Sequence, residues 1–528
     1  MNLKGLKAFC LKPRLRFFVA GLIPFLCIFN ATILQYKIIF ALGGMVNHTL
    51  IENPENLKNT TLNVDFPGTC ISRDRVGQED LFDDGPFDWS PAIESVVVSA
   101  GLFGCMAGMT VALFIYDILD SRLIISSTFF IAGLLTILTP PLATLGGSYS
   151  YVIVSATEFL VCALTSILTP EIPTLINNWF RLSEYYLITN LVLMGLDTGR
   201  ITFSFTGSIV KRLGWKYLFY IPGIMSVAIG FVYYIFVTRE PYDNVFLSQE
   251  EKELIGIDHG RILTDDQKEP KSKSRAHKFA LTALRFKRDM KVMNTQTTSH
   301  PRPWRQIFTT PMFWLSVMQQ TSQTWIMSIM VYLNKDFLEE IHGYSVEEAA
   351  LMVTVPNNLF NIVVYITTGH LADFLTSIKT PKITIRRMGV IIQILSVLPI
   401  FAMPFLPCEF LAVREVTVLI AILSSFRIVG TLAGYASFND LSPTFQGTLV
   451  SMSYFSQNTG PGLLISFLKG YFGFTPLSAW QKNYSINCSL VIIFSLLYLV
   501  FLNTDAAPWE PSQQVGKEET NTTHKEAE

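Results

Sequence analysis

Charged residues are scarce in this sequence. Lys, Arg, Asp and Glu make up 15% of the 528 residues, whereas hydrophobic residues make up 50%. A soluble protein carries about 25% charged residues, so the shortage of charge excludes an ordinary soluble fold and favours a membrane protein. The 40 basic and 41 acidic residues nearly cancel, leaving a net charge of −1. Charge therefore does not indicate a nucleic-acid partner, and none is expected.

Cysteine and histidine are also rare, with seven residues of each type. The cysteines form no C-x-x-C pair and no cluster with histidine, so a metal site is unsupported. The sequence also lacks a nucleotide-binding loop and a Ser/His/Asp set within an apolar segment. An enzyme is therefore not expected, and neither is a cofactor. The first apolar segment has no small-residue cleavage site and is too long for a signal peptide, so we expect it to remain as a membrane span.

Only one long polar interval, residues 239–310, interrupts the apolar part of the chain. Within it, Lys268–Lys291 holds nine basic residues and two acids. A charged group at the centre of a bilayer costs about 2.5–3.5 kcal/mol on insertion scales, so this segment must lie in water. The chain is therefore predicted to consist of two membrane blocks, 17–238 and 311–503, joined by a basic linker.

Each block contains six apolar windows of about 20 residues, the length that crosses roughly 30 Å of hydrocarbon. The windows are 17–42, 92–116, 123–145, 151–176, 186–210, 216–238, 311–335, 347–372, 385–406, 415–438, 447–470 and 487–503. We number them spans 1 to 12. The pattern predicts an all-α membrane protein with twelve transmembrane helices in two six-helix halves.

The distribution of basic residues predicts the orientation of these spans. Residues 1–16 carry five basic residues and no acid, whereas the loop 46–91 carries nine acids and three bases. Basic segments remain in the cytoplasm. We therefore expect the N-terminus, the linker 239–310 and the tail 504–528 to be cytoplasmic. The loop 46–91 is expected outside the cell or in a lumen.

The loop 46–91 also carries candidate modification sites. Asn47 and Asn59 begin N-x-S/T triplets on the side predicted to be lumenal, which indicates N-glycosylation. Cys70, Cys408 and Cys488 are all predicted to fall on that side. One disulfide could form among them, and the sequence leaves open which of them pair, if any.

Charges at the inner ends of the helices are candidates for a gate. An acid at the end of one helix and bases at the start of the next can hold an inner gate shut by ion pairing. The alternative is a solvated loop whose charges have no function. The gating candidates are Asp117, Arg122, Gly369, Asp373, Arg386, Arg387 and Asp440.

Twelve spans divided by a basic linker are the layout of major facilitator transporters, and several short motifs narrow this further. They are Gly214-Trp215, Phe219-Tyr220, Pro303-Trp304, Thr309-Thr310-Pro311, Trp325, Pro356, Gly369, Asp373 and Asp440-Leu-Ser-Pro443-Thr-Phe-Gln-Gly447. In their order from Arg14 to Thr504, they resemble the anion:cation symporter family, which includes sialin, vesicular glutamate transporters and sodium–phosphate cotransporters. The resemblance implies a lipid-embedded transporter of a small anion, organic or phosphate. Transport would be driven by protons, sodium or the membrane potential. The substrate would bind near the midplane of the membrane, and alternating access would occur around that site.

The sequence departs from this family where anions are expected to bind. The span 1 arginine of the family is replaced by Gln35, and the asparagine two residues later by Lys37. In span 4 the arginine is replaced by Glu158 and the mid-helix acid by Thr165. The span 7 arginine of the glutamate branch is Gln323. The anion-binding arginines of the family are therefore absent where the resemblance predicts them.

Other ionisable residues lie inside the predicted spans. They are Lys37, Glu158, Asp197, Arg200 and Arg427. Such residues are costly in a membrane unless they are paired or line a watery cavity, so each is a functional candidate. Lys37 and Glu158 are expected to lie close together in the outer half of the membrane. Asp197 and Arg200 are three residues apart on one helix face.

These residues receive candidate roles. The substrate-binding candidates are Gln35, Lys37, Arg200 and Arg427, and the proton-coupling candidates are Glu158 and Asp197. Structural ion pairs between packed helices are the alternative for each charge, and for Lys37 a side chain reaching to the membrane surface is another.

Two other functions compete with anion transport. The absent arginines would also suit a transporter-like receptor or regulatory protein, and Gln35 with Glu158 would suit a transporter of neutral or cationic solutes. We expect the protein in the plasma membrane or in an endolysosomal or vesicular membrane.

Overall fold

The computed structural model describes residues 15–47, 85–118, 120–180, 184–203, 210, 212–247, 251–252, 302–342, 344, 346–407, 410, 414–472 and 477–510. Within these residues the regular secondary structure is helical, apart from one isolated bridge between Val46 and Phe87. The linker segment Lys268–Lys291 and the tail after residue 510 lie outside the described residues.

Twelve helices of membrane length follow one another in two sets of six. The first half contains α1 (Leu15–Met45), α2 (Pro91–Ile118), α3 (Ser121–Leu145), α4 (Gly147–Trp179), α5 (Tyr185–Phe203) and α6 (Tyr217–Phe236). The second half contains α7 (Pro311–Ser328, continuing through a π turn to Asn334–His342), α8 (Leu351–Ser377), α9 (Lys382–Phe405), α10 (Arg414–Leu441), α11 (Gln446–Phe472) and α12 (Leu477–Phe501). This confirms the predicted fold class.

Three of these helices are more polar than the rest. In the described part of the chain, nine helices are long and apolar enough to cross a membrane by composition alone, and α5, α7 and α11 are not among them. In α5 the difference comes from Asp197 and Arg200, and in α7 from a run of glutamine, serine and threonine residues.

Helix α12 begins ten residues before the predicted span 12. As a result Asn483 also lies inside the helix, where it is buried together with Asn487 and Cys488. The indole N–H of Trp325 donates to the Asn487 side-chain oxygen at 2.8 Å. The buried polar side chain of Asn487 therefore has a hydrogen-bond partner. The predicted lumenal position of Cys488 is wrong, because it is a free, buried thiol. Cys70 and Cys408 lie outside the described residues.

The outer surface of the helix bundle is apolar. Large hydrophobic side chains such as Phe103, Ile224, Phe467 and Val500 are more than half exposed. Such a surface would be unfavourable in water and is compatible with lipid hydrocarbon. The chain therefore presents the exterior expected of a multi-pass membrane protein.

Among the described residues, the apolar core that both halves share lies toward one end of the bundle. We call the end that carries residues 247 and 302 the linker face, and the end that carries residues 85–90 the loop face. The largest apolar core mixes residues of both halves near the linker face, including Ile176 and Phe438. Toward the loop face two separate cores form, one from the first half around Phe219 and one from the second half around Tyr484. The linker face is therefore the closed end of this conformation.

Residues 504–510 fold back over the linker face, and we call them the C-terminal strap. The amide of Ala507 donates to the Leu441 carbonyl at 2.9 Å, and the Trp509 indole donates to the Thr310 hydroxyl at 3.0 Å. The Glu510 carboxylate accepts hydrogen bonds from the hydroxyls of two residues of the α10–α11 loop. These are Ser442 and Thr444. The strap thus ties together parts of the second half.

Candidate functional site

Lys37 of α1 and Glu158 of α4 form a buried ion pair near the loop face. The Lys37 ammonium lies 2.8 Å from Oε1 and 3.0 Å from Oε2 of Glu158, and it also donates to the Leu34 carbonyl at 2.9 Å. Lys37 is 1% exposed and Glu158 is fully buried. The alternative in which Lys37 reaches to the membrane surface is therefore wrong. The expected proximity of the two side chains is present.

A neutral pair lies beside this ion pair, between the same two helices. The Gln35 amide donates to the Thr165 hydroxyl at 3.3 Å and to the Ser166 hydroxyl at 3.4 Å. Gln35 and Thr165 stand where the family resemblance predicts an arginine and an acid. The contact between α1 and α4 therefore has a neutral pair at those positions, and its charges at Lys37 and Glu158.

Asp197 is the centre of a second set of polar side chains, in the middle of the bundle. Its Oδ1 lies 3.2 Å from the Arg200 guanidinium and 3.7 Å from the Arg427 guanidinium. The Asn361 amide donates to the same oxygen at 2.9 Å. We call Asp197, Arg200, Asn361 and Arg427 the central cluster. Because α5 belongs to the first half and α8 and α10 to the second, the cluster connects the halves.

The two arginines of the central cluster share a single carboxylate. Arg427 is 3% exposed, and its Nε and Nη2 have no hydrogen-bond partner among the described residues. A buried polar group without a partner is unfavourable, and a guanidinium presents parallel N–H groups that match a carboxylate or phosphate. The cluster can therefore accept an additional anion at Arg427.

The helix around Arg427 is irregular. Ser425–Leu432 is a 3₁₀ segment of eight residues in the middle of α10, although such segments rarely exceed four residues and often mark functional hinges. A Cβ atom at Gly430 would lie 1.8 Å from the side-chain oxygen of Gln393. The backbone that carries Arg427 is thus held closely by a side chain of α9.

Buried amides and hydroxyls of the second half surround this segment, and the sequence interpretation missed most of them. The Gln319 amide donates to Gln393 at 2.7 Å, and the Gln393 amide donates to the Ser322 hydroxyl at 2.9 Å. Gln323, at the position of the family arginine, is also buried. The run Gln319-Gln-Thr-Ser-Gln323 inside an apolar span was the signal that could have revealed this network.

Asp373 joins α8 to the beginning of α5 at the linker face. Its carboxylate accepts hydrogen bonds from the backbone amides of Tyr186 at 3.2 Å and Leu187 at 3.1 Å. The N-terminus of a helix favours a negative charge. One turn earlier, a Cβ atom at Gly369 would lie 2.7 Å from the Leu187 Cα, so glycine permits the close approach. The expected ion pair between Asp373 and the arginines of α9 is absent, because helix amides occupy the carboxylate.

Arg386 instead pairs with Asp440. Its Nη2 lies 2.7 Å from the Asp440 carboxylate, and its Nη1 donates to the Tyr186 hydroxyl at 2.9 Å. Lys382 approaches the other Asp440 oxygen at 2.9 Å. Arg387 is exposed and contacts no partner among the described side chains. Of the two adjacent arginines, Arg386 therefore links the halves.

Arg122, a gating candidate of the first half, contacts its own half. Arg122 donates to the Tyr234 carbonyl at 2.6 Å and lies over the Tyr234 ring, so it braces α3 against α6. The side chain of Asp117 lies outside the described residues. Asn47 follows the end of α1 as the last described residue before the loop, and Asn59 lies outside the described residues, so glycosylation at both sites stays a prediction.

Comparisons with known proteins agree with this architecture. The profile of the Major Facilitator Superfamily matches residues 17–433. Sodium-dependent phosphate transport protein 1 of Mus musculus is 21% identical over 427 residues, which cover 80% of this chain and 83% of the relative. The probable small intestine urate exporter of Mus musculus is 21% identical over 494 residues, covering 92% and 90%.

A solved structure has the same fold. The proton:xylose symporter XylE superimposes with a TM-score of 0.56 at 11% identity, covering 91% of this chain and 95% of XylE. The family profile thus matches most of the sequence. The described structure agrees with it, with twelve helices in two halves and a charge cluster where the halves meet. The chain belongs to the Major Facilitator Superfamily, as a divergent relative of its sodium-dependent phosphate transport proteins.

Proposed function

We propose that this multi-pass membrane protein is a secondary active transporter of small anions that works by alternating access. The observation that carries the proposal is the central cluster, in which Arg200 and Arg427 approach one carboxylate from opposite halves. Its relatives are named for phosphate and urate transport, which are anionic cargoes. An anion bound between the halves would contact both of them, as alternating access requires.

Within this mechanism Arg427 binds the substrate and Arg200 supports it from the first half. Gln35 offers a neutral amide at the contact between α1 and α4, and Lys37 is held by Glu158. Glu158 is the acid that could carry a coupled proton, since the Lys37 ammonium is close enough to be released when Glu158 is neutralised, whereas Asp197 remains the charged partner of Arg200 and Arg427. A sodium ion is the alternative coupling ion, by similarity to the relatives.

The linker-face contacts define the conformation that precedes substrate entry. Asp373 and Arg386 hold the linker face closed, and we propose that this face is cytoplasmic. Substrate would then enter from the loop face. Closing of that face would be accompanied by release of the Asp373 and Arg386 contacts.

The test is uptake of radiolabelled urate and phosphate into proteoliposomes, with and without proton or sodium gradients. Arg427→Lys keeps the charge but not the paired N–H geometry, so uptake should fall about tenfold. Arg427→Gln should abolish it while thermal stability stays near wild type. Unchanged uptake in Arg427→Gln, or a stability collapse that matches the loss of uptake, would show that Arg427 is structural.

A neutral polar solute is the second candidate cargo. The buried amides Gln319, Gln320 and Gln323 favour it, because each has a side-chain oxygen without a hydrogen-bond partner in the described structure. Neutral solutes belong in the same uptake panel. Binding of a solute to the purified protein, together with no uptake of that solute into proteoliposomes, would support the receptor alternative.

A further inference from the structure

The central cluster carries one net positive charge. It holds two guanidinium groups and one carboxylate, and the fourth member, Asn361, is neutral. The phenol of Tyr365 adjoins the same three charges. The neighbouring charges of Lys37 and Glu158 neutralise each other at 2.8 Å. The charge available to an incoming ligand is therefore set within the cluster.

Asp197 occupies the position that a substrate anion would otherwise take. Its Oδ1 accepts from Arg200 and Asn361 and also faces Arg427, and it is fully buried. We infer that Asp197 is a resident counter-ion that makes the site selective for singly charged anions. This inference rests on the proposed anion transport and adds the charge class of the substrate.

The selectivity follows from the cost of an uncompensated charge in a buried site. A singly charged anion brings the cluster to neutrality. A doubly charged anion leaves one excess negative charge, and a neutral solute leaves the positive charge unpaired.

The hydrogen-bond donors of Arg427 also favour a singly charged anion. Asp197 already accepts from Arg200, whereas Nε of Arg427 has no hydrogen-bond partner among the described residues, and Nη2 lies 3.7 Å from Asp197 Oδ1, beyond hydrogen-bond distance. One pair of parallel donors matches one carboxylate or one comparable planar anion. Charge and donor geometry both indicate a single anionic group.

Three small aromatic probes of different charge test the inference. Benzoate, phthalate and benzamide carry one, two and no negative charges at pH 8, and each is titrated into the purified full-length protein. Binding is measured as ligand-dependent thermal stabilisation. We expect benzoate to bind about tenfold or more tightly than phthalate or benzamide.

Substitutions that change the cluster charge supply the decisive comparison. Asp197→Asn raises the net charge to two and should shift the preference to phthalate. Asp197→Glu keeps the charge and should keep the preference for benzoate. The double variant Asp197→Asn with Arg200→Gln restores one net charge, so it should return to benzoate.

The outcomes separate this inference from the proposed function. If Asp197→Asn binds anions with the wild-type ratio of benzoate to phthalate, Asp197 does not set the charge selectivity, and anion binding still stands. If Asp197→Asn does not fold, the double variant decides: phthalate preference there would overturn the inference. If no anion stabilises the wild-type protein, anion transport itself is wrong and the inference falls with it.

Discussion

The two halves handle buried charge differently. In the first half Lys37 has its own acid, Glu158, in the same half, so the pair can stay together when the halves move. In the second half Arg427 lies among neutral amides, and its ion pair is with Asp197 of the first half. A contact within a half stabilises that half in every conformation, whereas a contact between halves must break during transport.

The linker face also has both kinds of contact, within one half and between the halves. The pair of Arg386 and Asp440 lies within the second half, whereas the hydrogen bonds of Asp373 to α5 and of Arg386 to Tyr186 connect the halves. We therefore expect substitutions within a half to change thermal stability. Substitutions between halves should change the populations of the two conformations.

The largest effect is expected from breaking the buried pair of the first half. Glu158→Gln leaves the Lys37 ammonium buried without a countercharge, which should cost about 3–5 kcal/mol of folding free energy. Glu158→Gln combined with Lys37→Met removes both charges and should recover most of that loss. Thermal unfolding of the purified protein measures Glu158→Gln, Lys37→Met and the double variant. Additive losses would show that the two side chains are not coupled.

A smaller effect is expected from Asp373, which acts between halves. Asp373→Asn weakens two hydrogen bonds to the start of α5, and the closed linker face should lose about 1–3 kcal/mol. A Thr368→Cys probe, placed in a variant without the native cysteines, should then react faster with an impermeant maleimide from the linker side. Thermal stability should change little.

The adjacent exposed arginine provides the matched control for this measurement. Arg387→Gln removes a charge at the same face but breaks no described contact, so the labelling rate should stay at the reference value. Equal labelling in Asp373→Asn and Arg387→Gln would show that Asp373 does not hold the halves together.

Much of the fold and part of the site could be predicted from the sequence. Span count, the division into halves and the approach of Lys37 to Glu158 follow from hydrophobic length and the cost of buried charge. The partner of Asp373 could not be predicted, because a backbone amide leaves no residue-specific signal. The choice of Arg386 over its neighbour depends on which face of α9 packs inward.

The 3₁₀ segment around Arg427 and the start of α12 were also missed, for a related reason. Both lie against side chains contributed by distant helices: Gln393 packs against Gly430 in one case, and the Trp325 indole donates to Asn487 in the other. A window of consecutive residues counts such polar side chains against a membrane helix. Their tertiary hydrogen bonds remove that penalty.

The smallest effect is expected from loosening the C-terminal strap. This change tests most directly the difference between contacts within one half and contacts between the halves. The strap lies at the linker face, where the gate is, yet its described hydrogen bonds to other elements reach Thr310, the end of α10 and the loop that follows it. All of these belong to the second half or to the residue that immediately precedes it. If location at the gate mattered, loosening the strap would open the linker face.

If contacts within one half affect only the stability of that half, loosening the strap should lower the thermal stability of the second half without opening the linker face. Glu510→Gln keeps the shape of the side chain but replaces charge-assisted hydrogen bonds from Ser442 and Thr444 with neutral ones, at a cost of about 1 kcal/mol. We expect a small fall in thermal stability and an unchanged rate of maleimide labelling at Thr368→Cys. Faster labelling with unchanged stability would mean that the strap belongs to the gate, and that contacts within one half also set the balance between the two conformations.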